Sequence, residues 1–223
     1  MGTLYLVRHG QASFGAADYD RLSELGTRQC EALGRWFASR GVVFQAVLRG
    51  TLRRHVQSLE ALQQGFGAPL PGTLEWPGLN EYDSHALVAA VRSEPLPAAD
   101  SVDAYRSHFR ALREGLQAWV AGRTAPVGMP SYPDFVAGVT TALDHVRRTC
   151  EGDVLLVSSG GPIATAVGHV LGTSADTVIE LNLRIRNSAV TEFTFNPKRH
   201  MLVAYNHLPH LDHPERRDWE TYS

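Results

Sequence analysis

The sequence predicts an α/β fold of three layers, a mostly parallel central sheet with helices on both faces. Short apolar runs rich in strand formers alternate along the chain with stretches whose apolar residues recur at helical spacing. Residues 153–157 lack any polar alternation, which is typical of a strand buried on both faces. In sheets of this kind ligands sit at the carboxyl ends of the strands.

The first half of the chain is predicted to form two strands, each followed by a helix. A strand over residues 3–7 is followed by a helix over roughly 23–40, for which Gly41 is a stop signal. A second strand is predicted at 46–48. The helix after it is indicated by a stripe of apolar residues, Leu52, Val56, Leu59 and Leu62.

The second half continues the pattern with two helices and three strands. Helical spacing resumes at Phe135, Val136, Val139, Leu143 and Val146, ahead of the strand at 153–157. Pro162 suits the first turn of a helix that runs to Gly172, and two closing strands are predicted at 190–195 and 201–205. We expect a single domain over 1–223, with a cap-like excursion around 80–135 that contains a helix near 102–120.

The composition of the chain argues against some classes of binding partner. With 21 basic and 23 acidic residues the formal charge is −2, so no global field draws the chain to nucleic acid or to a membrane surface. No stretch reaches the roughly 18 apolar residues that span a bilayer. Two cysteines far apart in sequence, Cys30 and Cys150, fit a reducing compartment, so we expect a cytoplasmic protein.

Four short segments carry the polar chemistry. They are Arg8-His9-Gly10 after the first strand, residues 50–58 around Arg54, residues 79–83 around Glu81, and the run Ser158-Ser159-Gly160-Gly161. Their types and order resemble branch 1 of the histidine phosphatase superfamily, the phosphoglycerate mutase-like proteins. The resemblance covers nearly the whole chain.

The resemblance implies a role for each of these residues. His9 is expected to be a nucleophile that is transiently phosphorylated, and Glu81 the proton donor, with Asp83 as a rival acid two residues on. Arg8, Arg54, Ser159 and the amides around Gly160 are expected to bind phosphate, and Gln11 and Ser13 either contact phosphate or form turns. Two guanidinium groups near His9 should keep its ring neutral, as attack on phosphorus requires.

Three positions depart from the family pattern. Gly15 stands where many mutases have an asparagine, and His55 follows Arg54 in place of a small residue. Ser159 stands where a second histidine is expected. Loss of a donor of this kind typically costs on the order of 10² to 10³ in rate. Either the site works with Ser159 and the glycine amides, or it has become a binder.

Other chemistries are weaker fits. The histidines at 207, 210 and 213 have metal-ligating side chains, but Pro209 breaks any helical register, so we expect no metal and no other cofactor. Ser158-Ser159-Gly160 lacks the leading glycine of a serine hydrolase elbow, and the glycine pair lacks the lysine of a Walker loop.

We therefore predict a metal-independent phosphomonoesterase acting on a small phosphorylated metabolite through a phosphohistidine. The rival functions are a phosphoglycerate mutase-type phosphotransferase and a catalytically feeble phospholigand-binding protein, the latter suggested by Ser159. The sequence leaves the oligomeric state open, a homodimer included.

Overall fold

The central sheet confirms the predicted fold class. The computed structural model describes residues 1–13, 20–92 and 102–222. The strands of this part of the chain are β1 (Gly2–Arg8), β2 (Phe44–Arg49), β3 (Thr73–Glu75), β4 (Asp153–Ser158), β5 (Val190–Asn196) and β6 (Arg199–His207). They form one sheet in the order β3-β2-β4-β1-β5-β6. The pairings among β1 to β4 are parallel, and β5 runs antiparallel to both of its neighbours.

The helices include every one that the sequence predicts and two more. They are α1 (Glu24–Ser39), α2 (Arg53–Phe66), α3 (Ser84–Ala89), α4 (Val102–Val120), α5 (Tyr132–Thr149), α6 (Gly160–Leu171) and α7 (Ala175–Asn182). The sequence prediction missed β3, α3 and α7. The two helices span 6 and 8 residues, which is too short for a helical period to stand out, and β3 is an exposed edge strand of 3 residues.

Side chains that alternate along the strands divide the core into two layers. One cluster combines Leu4, Leu6, Val154 and Leu156 with apolar residues of α5 and α6. The other combines Val7, Leu155 and Val157 with apolar residues of α1 and α2. Because successive strand residues point to opposite faces, this alternation predicts that His9, two residues after Val7, lies on the α1 and α2 side.

The described parts of the predicted excursion, residues 80–92 and 102–135, pack on the main core. Leu87 of α3 and Leu116 and Trp119 of α4 are buried in the cluster formed with α5 and α6. Trp119 also donates its indole N–H to the Pro130 carbonyl, at 3.0 Å, which ties α4 to the segment before α5. The excursion therefore contributes buried apolar area to the same core as the sheet.

Helices α1 and α2 approach each other closely because glycines face the contact. A Cβ at Gly34 of α1 would collide with the Leu62 carbonyl of α2, and one at Gly65 of α2 would collide with the Glu31 carbonyl of α1. The backbones of α1 and α2 are therefore in direct contact at both glycines.

Two further expectations bear on the chain's surroundings. Cys30 and Cys150 are both free thiols in the structure. Of the helices in the described residues, none combines the length and the apolar character needed to cross a membrane.

Candidate active site

Two of the four predicted polar segments follow neighbouring parallel strands and lie at one edge of the sheet. Arg8, the last residue of β1, pairs in register with Ser158, the last residue of β4. The His9 amide then donates to the Ser158 carbonyl, at 2.9 Å. His9 and Ser159 directly follow these two strands, so the paired ends of β1 and β4 hold them side by side.

The His9 ring is buried and anchored by its own backbone. Its exposed fraction is 3%, and Nδ1 lies 2.7 Å from the Gly10 carbonyl oxygen. A carbonyl can only accept, so Nδ1 carries the hydrogen and Nε2 keeps its lone pair. Ser58 of α2 accepts the Gly10 amide hydrogen at 3.1 Å, which holds the turn after the strand in place.

The environment of His9 lowers its pKa well below the usual value near 6.5. Burial is the largest cause, followed by the positive charges of Arg8 and Arg54 and by His55. The sequence predicted the effect of the two arginines, but desolvation of the ring by the surrounding core contributes more. The ring is therefore neutral at physiological pH, the form in which Nε2 is a nucleophile.

Arg54 lies in the first turn of α2 and is 7% exposed. Its Nη1 donates to Asp20 Oδ1 at 2.7 Å, and Asp20 Oδ2 accepts the Arg53 amide hydrogen at 2.8 Å. Asp20 therefore holds both the guanidinium group and the start of the helix. Sequence reasoning missed Asp20, since a lone carboxylate 34 residues before its partner carries no local signal.

The Arg8 guanidinium is held by backbone carbonyls. Its Nη1 donates to the Ile185 carbonyl and, at 3.1 Å, to the Tyr222 carbonyl near the C-terminus. Arg8 and Arg54 both lower the pKa of His9 and both oppose the rise in the pKa of Glu81. The two guanidinium groups thus act on the candidate nucleophile and on the candidate acid.

The side chain of Glu81 lies beside the first turn of α6. Its two carboxylate oxygens accept the Gly161 amide hydrogen at 3.2 and 3.1 Å, and Oε1 also accepts the Tyr82 amide hydrogen at 3.3 Å. Burial raises the pKa of this carboxyl above its usual value, and the Gly161 amide and the two arginines limit that rise. A raised pKa suits a group that donates a proton.

The rival acid, Asp83, has a different position. It is exposed, and its Oδ1 accepts the amide hydrogens of His85 and Ala86 at 2.8 and 3.0 Å, so it caps α3. The geometry therefore favours Glu81 over Asp83.

Ser159 is the N-cap residue of α6, and Gly160 is the helix's first residue. The Ser159 hydroxyl makes no capping bond to its own helix; it lies 2.7 Å from Nε2 of His55, a fully buried residue of α2. The rings of His55 and His9 have centroids 5.9 Å apart. Two of the positions that depart from the family pattern are therefore hydrogen-bonded to each other.

Gln11 and Ser13, the remaining candidates for phosphate contact, make hydrogen bonds that hold the loop after β1. Gln11 Oε1 accepts from the Ser23 hydroxyl at 2.8 Å, and the Ser13 amide donates to the Arg21 carbonyl at 2.8 Å. These bonds fit the turn-forming alternative for Gln11 and Ser13. Gly15 lies outside the described residues.

The histidines near the C-terminus have separate partners. His210 Nε2 lies 2.9 Å from the Ser188 hydroxyl, and His213 Nδ1 accepts the Glu215 amide hydrogen at 3.3 Å. Among residues 1–13, 20–92 and 102–222, no group of three or more His, Cys, Asp or Glu side chains is arranged to hold a metal ion.

The family model for the histidine phosphatase superfamily, branch 1, matches residues 4–208. The match covers most of the chain, and the protein belongs to this superfamily. The comparison with curated protein sequences gave no match.

Solved structures of the same fold align with nearly the whole chain. YhfR of Bacillus stearothermophilus is 18% identical, with a TM-score of 0.66 over 94% of this chain and 99% of its own. A phosphoserine phosphatase mutant from Entamoeba histolytica, in complex with phosphoserine, is 17% identical, with a TM-score of 0.63 over 95% and 100%. A mycobacterial glucosyl-3-phosphoglycerate phosphatase is 20% identical, with a TM-score of 0.62 over 92% and 99%. At these identities the likeness concerns the fold.

Proposed function

We propose that the protein is a phosphomonoester hydrolase that forms a phosphohistidine at His9. The observation that carries this proposal is the buried, neutral His9 ring, whose Nδ1 is bonded to Gly10. Arg8 and Arg54 act electrostatically both on this ring and on the Glu81 carboxyl, whose pKa is raised. A nucleophile, cationic groups and a proton donor are the components that phosphoryl transfer requires. Phosphatases among the structural neighbours support the same reaction class.

The reaction proceeds in two displacements. His9 Nε2 forms a bond to phosphorus as the bond from phosphorus to the ester oxygen breaks, and Glu81 gives its proton to that oxygen, so that an alcohol leaves. Water then attacks the phosphohistidine, Glu81 takes a proton from the water, and inorganic phosphate leaves His9 in its starting form.

Charge on the transferring group is balanced by the protein itself. Arg8 and Arg54 supply two guanidinium groups, and the first amides of α6 add a partial positive charge at the helix start. We therefore propose that turnover needs no metal. Activity should survive treatment with EDTA; loss of activity that a divalent ion restores would contradict metal independence.

The substrate is proposed to be a small phosphorylated metabolite in the cytoplasm. Structural neighbours are named for phosphoserine and for glucosyl-3-phosphoglycerate. Phosphorylated hydroxy acids, including those that carry an amino group or an attached sugar, are therefore the first compounds to screen. A screen of phosphate esters with the purified protein, read by release of inorganic phosphate, would identify the class.

One experiment separates this function from its rivals. The protein is mixed with a ³²P-labelled ester and quenched in alkali, in which phosphohistidine survives. A hydrolase gives labelled protein at His9 and labelled inorganic phosphate. A phosphotransferase of the mutase type gives labelled protein and an isomeric ester, whereas a phospholigand-binding protein gives no labelled protein.

A further inference from the structure

The proposed mechanism gives no role to the buried polar pair formed by His55 and Ser159. His55 Nε2 and the Ser159 hydroxyl oxygen lie 2.7 Å apart, and both residues have no exposed surface. They belong to different elements, α2 and the turn between β4 and α6, and are 104 residues apart in sequence. A buried bond of this kind specifies one orientation for each side chain.

The direction of the hydrogen bond follows from the other ring nitrogen. Burial and the charges of Arg54 and Arg49 lower the pKa of His55 to about 3, so the ring is neutral and only one nitrogen carries a hydrogen. Nδ1 is buried, has no hydrogen-bond partner in the described part of the chain, and faces Gly50, where a Cβ would collide with it. Orphaned buried N–H groups are rarer than orphaned acceptors. The hydrogen therefore belongs on Nε2, which donates to Ser159.

This direction determines what Ser159 can offer. Its oxygen accepts from His55 and makes no bond to the amides of its own helix, so its own hydrogen remains for another acceptor. Ser159 follows Ser158, whose carbonyl accepts the His9 amide hydrogen, and the His55 ring lies 5.9 Å from the His9 ring. The acceptor that the proposed reaction supplies for the Ser159 hydrogen is a phosphoryl group on His9.

We propose that His55 is a positioning residue, which holds the Ser159 hydroxyl so that the Ser159 hydrogen is donated to the phosphoryl group that His9 receives. The inference rests on the proposed function. In it an imidazole on α2 acts through a hydroxyl on the neighbouring turn, and the donation strengthens as charge grows on the phosphoryl oxygens.

The first test needs no activity. Long-range ¹H–¹⁵N correlation spectra of the wild-type protein at pH 7 report which nitrogen of each histidine carries the hydrogen. We expect His55, assigned by its loss in His55→Met, to be the neutral Nε2–H tautomer. A hydrogen on Nδ1 would overturn the proposal, because Nε2 would then take the hydrogen that Ser159 is proposed to donate.

The second test compares variants that keep or remove the donor. His55→Gln places an amide N–H near the position of Nε2, whereas His55→Met has similar bulk and no donor. We expect His55→Met and Ser159→Ala each to lower kcat by about three- to tenfold with little change in KM, and His55→Gln to recover most of the loss. The double variant should lose no more than the larger single loss.

His200→Met is the matched control. His200 is a partly buried histidine whose Nε2 also has no partner in the described residues, and it pairs with Phe195 at the end of the sheet remote from His9. We expect its kcat to stay within twofold of wild type. Losses in the double variant that multiply, or His55→Gln as poor as His55→Met, would overturn the proposal.

Failure of the proposed function would appear separately. If the wild-type protein never turns over an ester, calorimetric titration with inorganic phosphate replaces kcat. His55→Met should then weaken binding to the same extent as Ser159→Ala, and His55→Gln should restore it. Unchanged phosphate binding in His55→Met, or no binding in wild type, would overturn the role of His55.

Discussion

Glu81 and Gly161 are joined by a hydrogen bond that crosses 80 residues of sequence, in which both carboxylate oxygens lie within 3.2 Å of one amide nitrogen. The contact ties the segment after the short 3-10 helix Pro77–Leu79 to the first turn of α6. It also places the Glu81 carboxyl at the start of α6, where the positive charges of Arg8 and Arg54 act on the pKa of that carboxyl. The effects expected for variants of His9, Glu81 and Arg54 depend on this arrangement of acid, arginines and nucleophile.

The first prediction concerns the nucleophile. His9→Ala should abolish turnover and the alkali-stable phosphoenzyme, because the neutral ring whose Nε2 keeps its lone pair is removed. His85→Ala, at an exposed histidine of α3, is the control and should retain full activity. Activity of His9→Ala within tenfold of wild type would exclude His9 as the nucleophile.

The acid should matter most for poor leaving groups, which need a proton in order to depart. Glu81→Gln should therefore reduce kcat on an alkyl phosphate far more than on p-nitrophenyl phosphate. Asp83→Asn is the matched control, since asparagine preserves the cap of α3. Equal losses on the two substrates in Glu81→Gln would point to a structural role for Glu81.

Arg54 and Ser159, two of the proposed phosphate ligands, are expected to differ in strength. A charge-assisted hydrogen bond is roughly twice as strong as a neutral one, so Arg54→Ala should cost at least about a hundredfold in kcat/KM and Ser159→Ala less than about tenfold. Arg53→Ala, at the exposed neighbour of Arg54, controls for loss of charge alone. Comparable losses in Ser159→Ala and Arg54→Ala would assign Ser159 a larger chemical role.

Buried histidines should make folding stability depend on pH. The pKa of His210 falls to about 3 in the folded protein, mainly through burial, while the unfolded chain has the ordinary value near 6.5. The stability that His210 contributes is therefore fully present above about pH 6.5 and is lost as the pH falls towards 3. Each such histidine steepens the decline by about 1.4 kcal/mol per pH unit.

His210→Gln isolates this contribution. Urea unfolding of wild type and variant between pH 4 and 5.5 should show a shallower decline for the variant, by about one proton's slope. The other buried histidines are common to both proteins and cancel in the comparison. Parallel pH profiles would mean that His210 is protonated equally in the folded and unfolded states.

The contact between α1 and α2 predicts a stability effect away from the chemistry. Gly34→Ala should destabilise the fold by more than about 1 kcal/mol, because its Cβ would collide with the Leu62 carbonyl and the helices would have to separate. Gly72→Ala is the control, since a Cβ there has no atom within 4 Å and the backbone needs no positive φ. Similar melting temperatures for both variants would contradict close packing at Gly34.

The predictions from sequence succeeded where a property is carried by residues close together in the chain. Helical spacing located α1, α2, α4 and α5, and the buried run at 153–157 located β4. The segment Arg8-His9-Gly10, with the three later segments, was enough to indicate the family. The roles that the same segments assign to His9, Arg54 and Glu81 stay predictions. Short elements such as β3, α3 and α7 escaped because they hold too few residues for a period to be visible.

Tertiary structure alone decided which of these residues touch. Asp20 reaches Arg54 and Gly161 reaches Glu81 only after the sheet has brought distant strand ends to one edge, and no local pattern encodes such pairings. His55 and Ser159 show the difference most clearly. By itself the sequence determined that both positions depart from the family pattern; only the packing of α2 against the end of β4 decided that the two departures form one hydrogen bond, since that contact depends on burial and on geometry across 104 residues.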